Sequence, residues 1–85
     1  MESINRSEKD QYIKNHVKIF IRLLGEGSFS ARPTEAEPLG NDVFRVLATA
    51  DYDPDTETWE FLPGSRVRLI KRSDERGEYL LAVKL

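Results

Sequence analysis

Apolar and polar residues alternate along the stretch from Val17 to Leu23. Val17, Ile19, Ile21 and Leu23 fall on one side and Lys18, Phe20 and Arg22 on the other, the period-two pattern of a half-buried strand. Gly25-Glu26-Gly27-Ser28 interrupts it with two glycines free to take positive φ. Phe29 to Leu39 reads as a second, irregular strand, and Pro33 and Pro38, which donate no ladder hydrogen bond, place it at a sheet edge. Gly40-Asn41-Asp42 is a turn. Val43 to Thr49 is a third strand, with Phe44, Val46 and Ala48 on one face and Val43, Arg45 and Leu47 on the other.

Asp51 to Glu57 is dense in turn formers, and Thr58 to Leu62 reads as a short strand around Trp59 and Phe61. Pro63-Gly64 has the form of the middle of a type II turn. Arg66 to Arg72 and Glu78 to Lys84 make a hairpin across Ser73 to Gly77, with Val67 and Leu69 facing Tyr79, Leu81 and Val83. Short strands with glycine or proline at most corners, and no helix between them, predict an all-β antiparallel meander closed or nearly closed into a small barrel. Ahead of it, Met1 to Asn15 has only Ile4, Tyr12 and Ile13 as large apolar residues. The expected organisation is a flexible arm over residues 1–16 and one barrel domain over 17–85. A competing reading of the arm is a short helix capped at Ser7, with Asp10 three positions on.

Size and composition narrow the possible chemistry. With 85 residues, 39% of them hydrophobic and 33% charged, the chain has room for one small core and no separate catalytic subdomain. Zero cysteines exclude disulfides, thiolate nucleophiles and cysteine-ligated metals. No apolar run approaches the roughly 18 residues of a membrane span, and the first residues lack the apolar stretch of a signal peptide, so the expectation is a cytoplasmic protein without membrane attachment. Thirteen basic residues against fifteen acidic give a net charge of −2. Any attraction for a polyanion must therefore come from local segregation of charge.

The sole histidine, His16, stands at the start of the first strand with no Gly-x-Ser-x-Gly elbow elsewhere in the chain, and reads as a solvated strand-start residue. Asp51, Asp53 and Asp55 alternate as in a calcium loop, but Thr56 and Leu62 occupy the places of the loop glycine and the bidentate acid. They read as an acidic turn, with no metal or cofactor expected. Gly25-x-Gly27 lacks the third glycine and the following helix of a dinucleotide site. The basic residues are more informative. Lys18 and Arg22 flank Phe20, Arg45 lies on another strand, Arg66, Arg68 and Arg72 share a face with Ile70, and Lys84 closes the last strand. Lys18, Phe20, Arg22, Arg45, Arg66 and Arg68, with Trp59, form the candidate binding surface. A protein contact and a stacking platform for single-stranded nucleic acid are the two uses such a face would have. A solvated face whose charges guard against edge pairing is the plainer alternative.

Two resemblances bear on this reading. Ala48-Thr49-Ala50-Asp51-Tyr52, followed by Trp59-Glu60-Phe61-Leu62-Pro63-Gly64, resembles the opening of an SH3 domain. Ala50 stands in place of the box's first tyrosine, and the other polyproline-groove residues have no counterparts, leaving only Tyr52 to carry over. The resemblance implies an SH3-like barrel geometry and not polyproline binding. Across about Val17 to Leu85, the pattern Ile21-Arg22-Leu23-Leu24-x-Glu26-Gly27, Arg32-Pro33, Ala36, Leu39-Gly40, Phe44-Arg45-Val46-Leu47 and Trp59-Glu60-Phe61-x-Pro63-Gly64-Ser65-x-Val67-Arg68 resembles a set of small bacterial proteins of unknown function, and implies no activity. The sequence therefore predicts a small antiparallel SH3-like barrel serving as a non-enzymatic interaction module for a protein partner. Single-stranded nucleic-acid binding is the alternative, and the oligomeric state is not specified.

Overall fold

A computed structural model describes residues 15–85. The arm proposed for residues 1–16, and the alternative helix at Ser7, fall almost wholly outside them. Five strands follow in order: β1 (Val17–Arg22), β2 (Ala31–Gly40), β3 (Val43–Val46), β4 (Arg66–Asp74) and β5 (Gly77–Val83). Each pairs antiparallel with the next, and β1 meets β5 in parallel at Phe20 and Leu81 to close the barrel. The parallel seam is a geometric necessity, because an odd number of alternating strands brings the first and last together pointing the same way. This is the small all-β barrel that the hydrophobic pattern predicts, with the SH3-like geometry that the resemblance implies.

The core follows the inward positions. Ile19 and Ile21 of β1, Ala36 of β2, Val46 of β3, Val67 of β4 and Ala82 of β5 are buried together with Trp59, and Val17, Leu23, Phe44, Tyr52, Phe61, Leu69 and Leu80 pack around them. Thr34 is the buried polar residue among them, and its hydroxyl donates to the Leu47 carbonyl at 2.6 Å. That bond removes the cost of desolvating it.

Three sequence expectations need correction. First, β2 is an interior strand with β1 on one side and β3 on the other. The Leu23 N–H bonds to Ser30 O and the Leu47 N–H to Glu35 O, which fixes the alternation of backbone groups along β2. The Pro33 nitrogen then points to the β3 side opposite Thr49, where β3 has ended, and the Pro38 nitrogen points to the β1 side, before β1 begins. Both prolines occupy positions where no partner was waiting for an N–H.

Second, Thr58 to Leu62 is not a strand. Only Trp59 bridges, to Leu23, with the Leu24 N–H on Thr58 O and the Glu60 N–H on Arg22 O, each 2.8 Å. The chain then enters the turn at Pro63-Gly64, where Gly64 has φ 93° and the Ser65 N–H bonds to Leu62 O. The third strand is likewise shorter than expected, ending at Val46.

Third, the β4–β5 hairpin turns on Glu75 and Arg76 alone, with Asp74 opposite Gly77. The Asp74 carboxylate accepts the Arg76 N–H at 2.8 Å, and Gly77 takes φ 123°. A loop of this length pairs Leu69 with Ala82 and Ile70 with Leu81, so Leu80 and Ala82 point inward beside Val67 and Leu69. Tyr79, Leu81 and Val83 face outward with Arg68, Ile70 and Arg72. Because the side-chain period is two, one residue of register reverses the face of the entire strand.

Candidate functional site

The outward residues of β1, β5 and β4 form one continuous surface. Phe20 is level with Leu81 across the parallel seam, and Leu81 is directly opposite Ile70 on β4. Tyr79 pairs with Arg72 and Val83 with Arg68, while the same step of two along β1 carries Lys18 to the Tyr79 end and Arg22 to the Val83 end. The result is an apolar centre of Phe20, Tyr79, Leu81, Val83 and Ile70, framed by Lys18, Arg22, Arg68 and Arg72.

Leu81 is 6% exposed although it points away from the core, because its neighbours on the sheet cover it. The Phe20 and Tyr79 rings meet edge to face at 5.3 Å between centroids and 71° between planes, and Lys18 Nζ lies 5.8 Å from the Phe20 centroid. Among the described residues, Lys18, Arg22, Arg66, Arg68 and Arg72 make no ion pair. The acidic residues that do pair with cations mostly lie elsewhere, Glu35 and Glu37 on β2 and Glu57 in the loop before β4.

Along one border of this surface runs a groove of about 580 Å³. Lys18 and Phe20 of β1, Gly77, Glu78 and Tyr79 of β5, and Phe29, 59% exposed and just ahead of β2, line it. Asp74 and Arg76, at the hairpin turn, also line it.

The sequence-derived surface is thus partly assembled. Lys18, Phe20 and Arg22 lie together on β1 as expected, and Arg66 and Arg68 are exposed on β4. The two groups are separated by β5, whose outward Tyr79, Leu81 and Val83 were expected in the core. Arg45 sits opposite Arg66 but is drawn toward Glu37, 3.4 Å away, and lies at the far margin. Trp59 does not belong to the surface: it is 2% exposed, pairs with Leu23 on the inward side and packs edge to face on Tyr52 at 4.7 Å. A large ring at that point fills the interior of a small barrel. Tyr52, the one residue carried over as a polyproline contact, is packed into the same cluster.

Sequence reasoning missed the Arg32, Glu57 and Trp59 triad. Arg32 Nε donates to Glu57 Oε1 at 3.0 Å, a second guanidinium nitrogen reaches Oε2, and the Trp59 indole N–H donates to Oε1 at 3.1 Å. The Arg32 guanidinium, aided by the indole, holds the Glu57 carboxyl below the usual range. Nothing in the local pattern marks this contact, because Glu57 belongs to a run of turn-forming acids. The triad ties the long loop to the barrel and offers no open site.

Asp53 accepts the Asp55 N–H on its carboxylate at 2.9 Å, and its carbonyl takes the N–H groups of Thr56 and Glu57. It is thereby engaged in its own turn, as the acidic-turn reading expects. No cluster of three or more potential metal ligands exists among the described residues. His16 Nδ1 lies 3.4 Å from Glu35 Oε1 at the start of the barrel. No helix among the described residues is long and apolar enough to cross a membrane. The chain matches no known family model, no curated protein and no solved structure.

Proposed function

We propose that this chain is a non-enzymatic interaction module that holds a protein partner on the outer face of β1, β5 and β4. The observation that carries this reading is the frame of Lys18, Arg22, Arg68 and Arg72 around Phe20, Tyr79, Leu81, Val83 and Ile70, with no described carboxylate neutralising the frame. An apolar centre inside a polar rim is the anatomy of a protein contact. Arginines at such a rim steer an acidic partner and fix its orientation. A cytoplasmic setting accords with a chain that has no cysteine, and the contact requires no cofactor.

Single-stranded nucleic acid is the second reading, favoured by two aromatic rings among cations. Against it, the Phe20 and Tyr79 rings are turned edge to face upon each other, and the remaining central residues are aliphatic. A fluorescence-anisotropy titration with short single-stranded RNA and DNA, at low and then physiological salt, separates the two. Protein binding through the apolar centre predicts no RNA or DNA binding at physiological salt. Micromolar binding that falls steeply with salt, and that both Arg22→Ala and Arg66→Ala weaken, would replace the protein reading with the nucleic-acid one.

A further inference from the structure

β4 is 9 residues long, and β3 covers only its beginning, with Arg45 opposite Arg66 and Phe44 opposite Val67. The Leu47 N–H bonds to Glu35 O and the Val46 N–H to Ser65 O, so the even residues of β3 face β4, and Val67, opposite Phe44, faces β3. By alternation, the N–H and C=O groups of Leu69, Lys71 and Ser73 point to that same side. The short turn between Asp74 and Gly77 agrees, because it sets Arg68, Ile70 and Arg72 toward β5. Strand β3 cannot follow β4 further: it begins at Val43, and Asn41 and Asp42, with φ 57° and 63°, carry the chain across from β2. From Leu69 to Ser73 the outer edge of β4 has no backbone partner among the described residues.

Such an edge is a template for another strand, and Leu69 to Ser73 spans about 14 Å. A second copy of this chain does not fit as its occupant. Every antiparallel register that lays Lys71 of one copy against Leu69, Lys71 or Ser73 of another sets like charges opposite each other: Arg68 against Arg72, Lys71 against Lys71, or Arg72 against Arg72. Like charges in that position destabilise a sheet. The same side chains suit an acidic strand. From Arg66 to Ser73, β4 carries Arg66, Arg68, Lys71 and Arg72 and no carboxylate, with Asp74 at the turn beyond. Glu78 lies 3.9 Å from Lys71 on the β5 side, and Arg68 and Arg72 make no ion pair among the described residues. On the outward side Arg68 and Arg72 flank Ile70, 39% exposed, so a strand alternating acid, apolar and acid on that side meets each of them.

Building on the protein-partner reading, we infer that the outer edge of β4 takes an extended acidic segment of another protein, which adds as a strand at Leu69, Lys71 and Ser73 and widens the β1–β5–β4 face by one strand. The test uses the full-length, ¹⁵N-labelled chain and the capped peptide acetyl-Thr-Glu-Glu-Val-Val-Glu-amide. It is compared with a version carrying Lys for every Glu, with two versions N-methylated on alternate sets of amides, and with oligouridylate. Strand addition predicts that the acidic peptide shifts the Leu69, Lys71 and Ser73 amides and slows their exchange, and that the Lys version binds about tenfold more weakly or worse. One N-methylated set should lose about tenfold in affinity while the other keeps it, because only alternate amides of an added strand face β4.

Slow exchange of the Leu69, Lys71 and Ser73 amides before any peptide is added overturns the inference, because the edge is then covered within the chain itself. Equal binding of the Lys version overturns the acidic selection. Binding indifferent to either methylation, with shifts confined to Phe20 and Tyr79, overturns strand addition and leaves the outer-face module standing. Failure of the acidic peptide to bind at millimolar concentration overturns this inference alone. Oligouridylate binding in place of the peptide overturns both this inference and the reading on which it rests.

Discussion

Arg32, on β2, and Glu57, in the loop that precedes β4, are joined by a two-pronged ion pair across a sequence separation of 25 residues. The same carboxylate accepts the indole N–H of the buried Trp59. Through this contact the long loop between β3 and β4 is fastened to the barrel wall, and the ring that fills the interior is held in one orientation. Removing the carboxylate while keeping its shape, as in Glu57→Gln, is expected to lower the thermal midpoint and leave the fold intact by far-UV circular dichroism.

The pH dependence follows from the same group. The Glu57 carboxyl in the folded chain lies below its ordinary range because Arg32, and secondarily Trp59, bond to its ionised form. The folded state thus prefers the charged carboxylate more than the unfolded chain does. Its stabilisation is complete above the unfolded-chain value of about 4.3 and is lost as pH falls through the lower folded value. Thermal melts from neutral pH down to pH ~3 should show a falling midpoint that flattens in Glu57→Gln. Identical slopes for the two proteins would contradict the assignment.

Trp59 is the largest side chain in the buried cluster. Truncation of a buried tryptophan to alanine costs about 3 to 5 kcal/mol, comparable with the whole stability of roughly 3 to 5 kcal/mol that a single core supplies to a domain of this size. Trp59→Ala should be unfolded at 25 °C by near-UV circular dichroism and one-dimensional NMR. Trp59→Phe should remain folded at a reduced midpoint, since it keeps most of the packing and loses the bond to Glu57.

Asn41 and Asp42, between β2 and β3, have φ of 57° and 63°, the backbone of a type I′ turn, in which the second position favours glycine. Asp42→Gly relieves the side-chain penalty of positive φ there and should raise stability by roughly 0.5 to 1 kcal/mol in urea unfolding, net of the entropy gained by the unfolded chain.

Across the outer face, Phe20 and Tyr79 pack edge to face, and such pairs couple by about 0.5 to 1.5 kcal/mol beyond their buried area. A double-mutant cycle with Phe20→Leu and Tyr79→Leu should return a coupling in this range. A value near zero would mean that the two rings do not meet in solution.

Hydrogen exchange offers a ligand-free check on the strand directions. Amides of Tyr79 and Leu81, which face β4, should be protected, whereas those of Glu78 and Leu80, which face the groove, should exchange rapidly. The reverse pattern would shift the β4–β5 register by one.

Much of this fold is legible because it depends on local periodicity. The Val17 to Leu23 alternation gives the buried face of β1, and Gly40-Asn41-Asp42 and Pro63-Gly64 mark real turns. The inward face of β5 is not legible, because it hangs on whether the hairpin turn has two residues or five, and Ser73 to Gly77 permits both. The prolines of β2 suggest an edge because a sequence does not reveal where neighbouring strands end. The surface suffered for the same reason. Lys18, Phe20, Arg22, Arg66 and Arg68 announce themselves by charge and alternation, but their joining through Tyr79, Leu81 and Val83 requires knowing both the register and the parallel closure.

That closure also orders events in time. The β4–β5 hairpin, built across a two-residue turn, needs only local contacts and can form on the scale of about 1 to 10 μs. The seam joins positions 20 and 81 and must pay a far larger loop-closure entropy before any contact rewards it. Closure of the barrel is therefore the step expected last, and folding on the millisecond-to-second scale of barrels dominated by non-local pairing is the expected outcome.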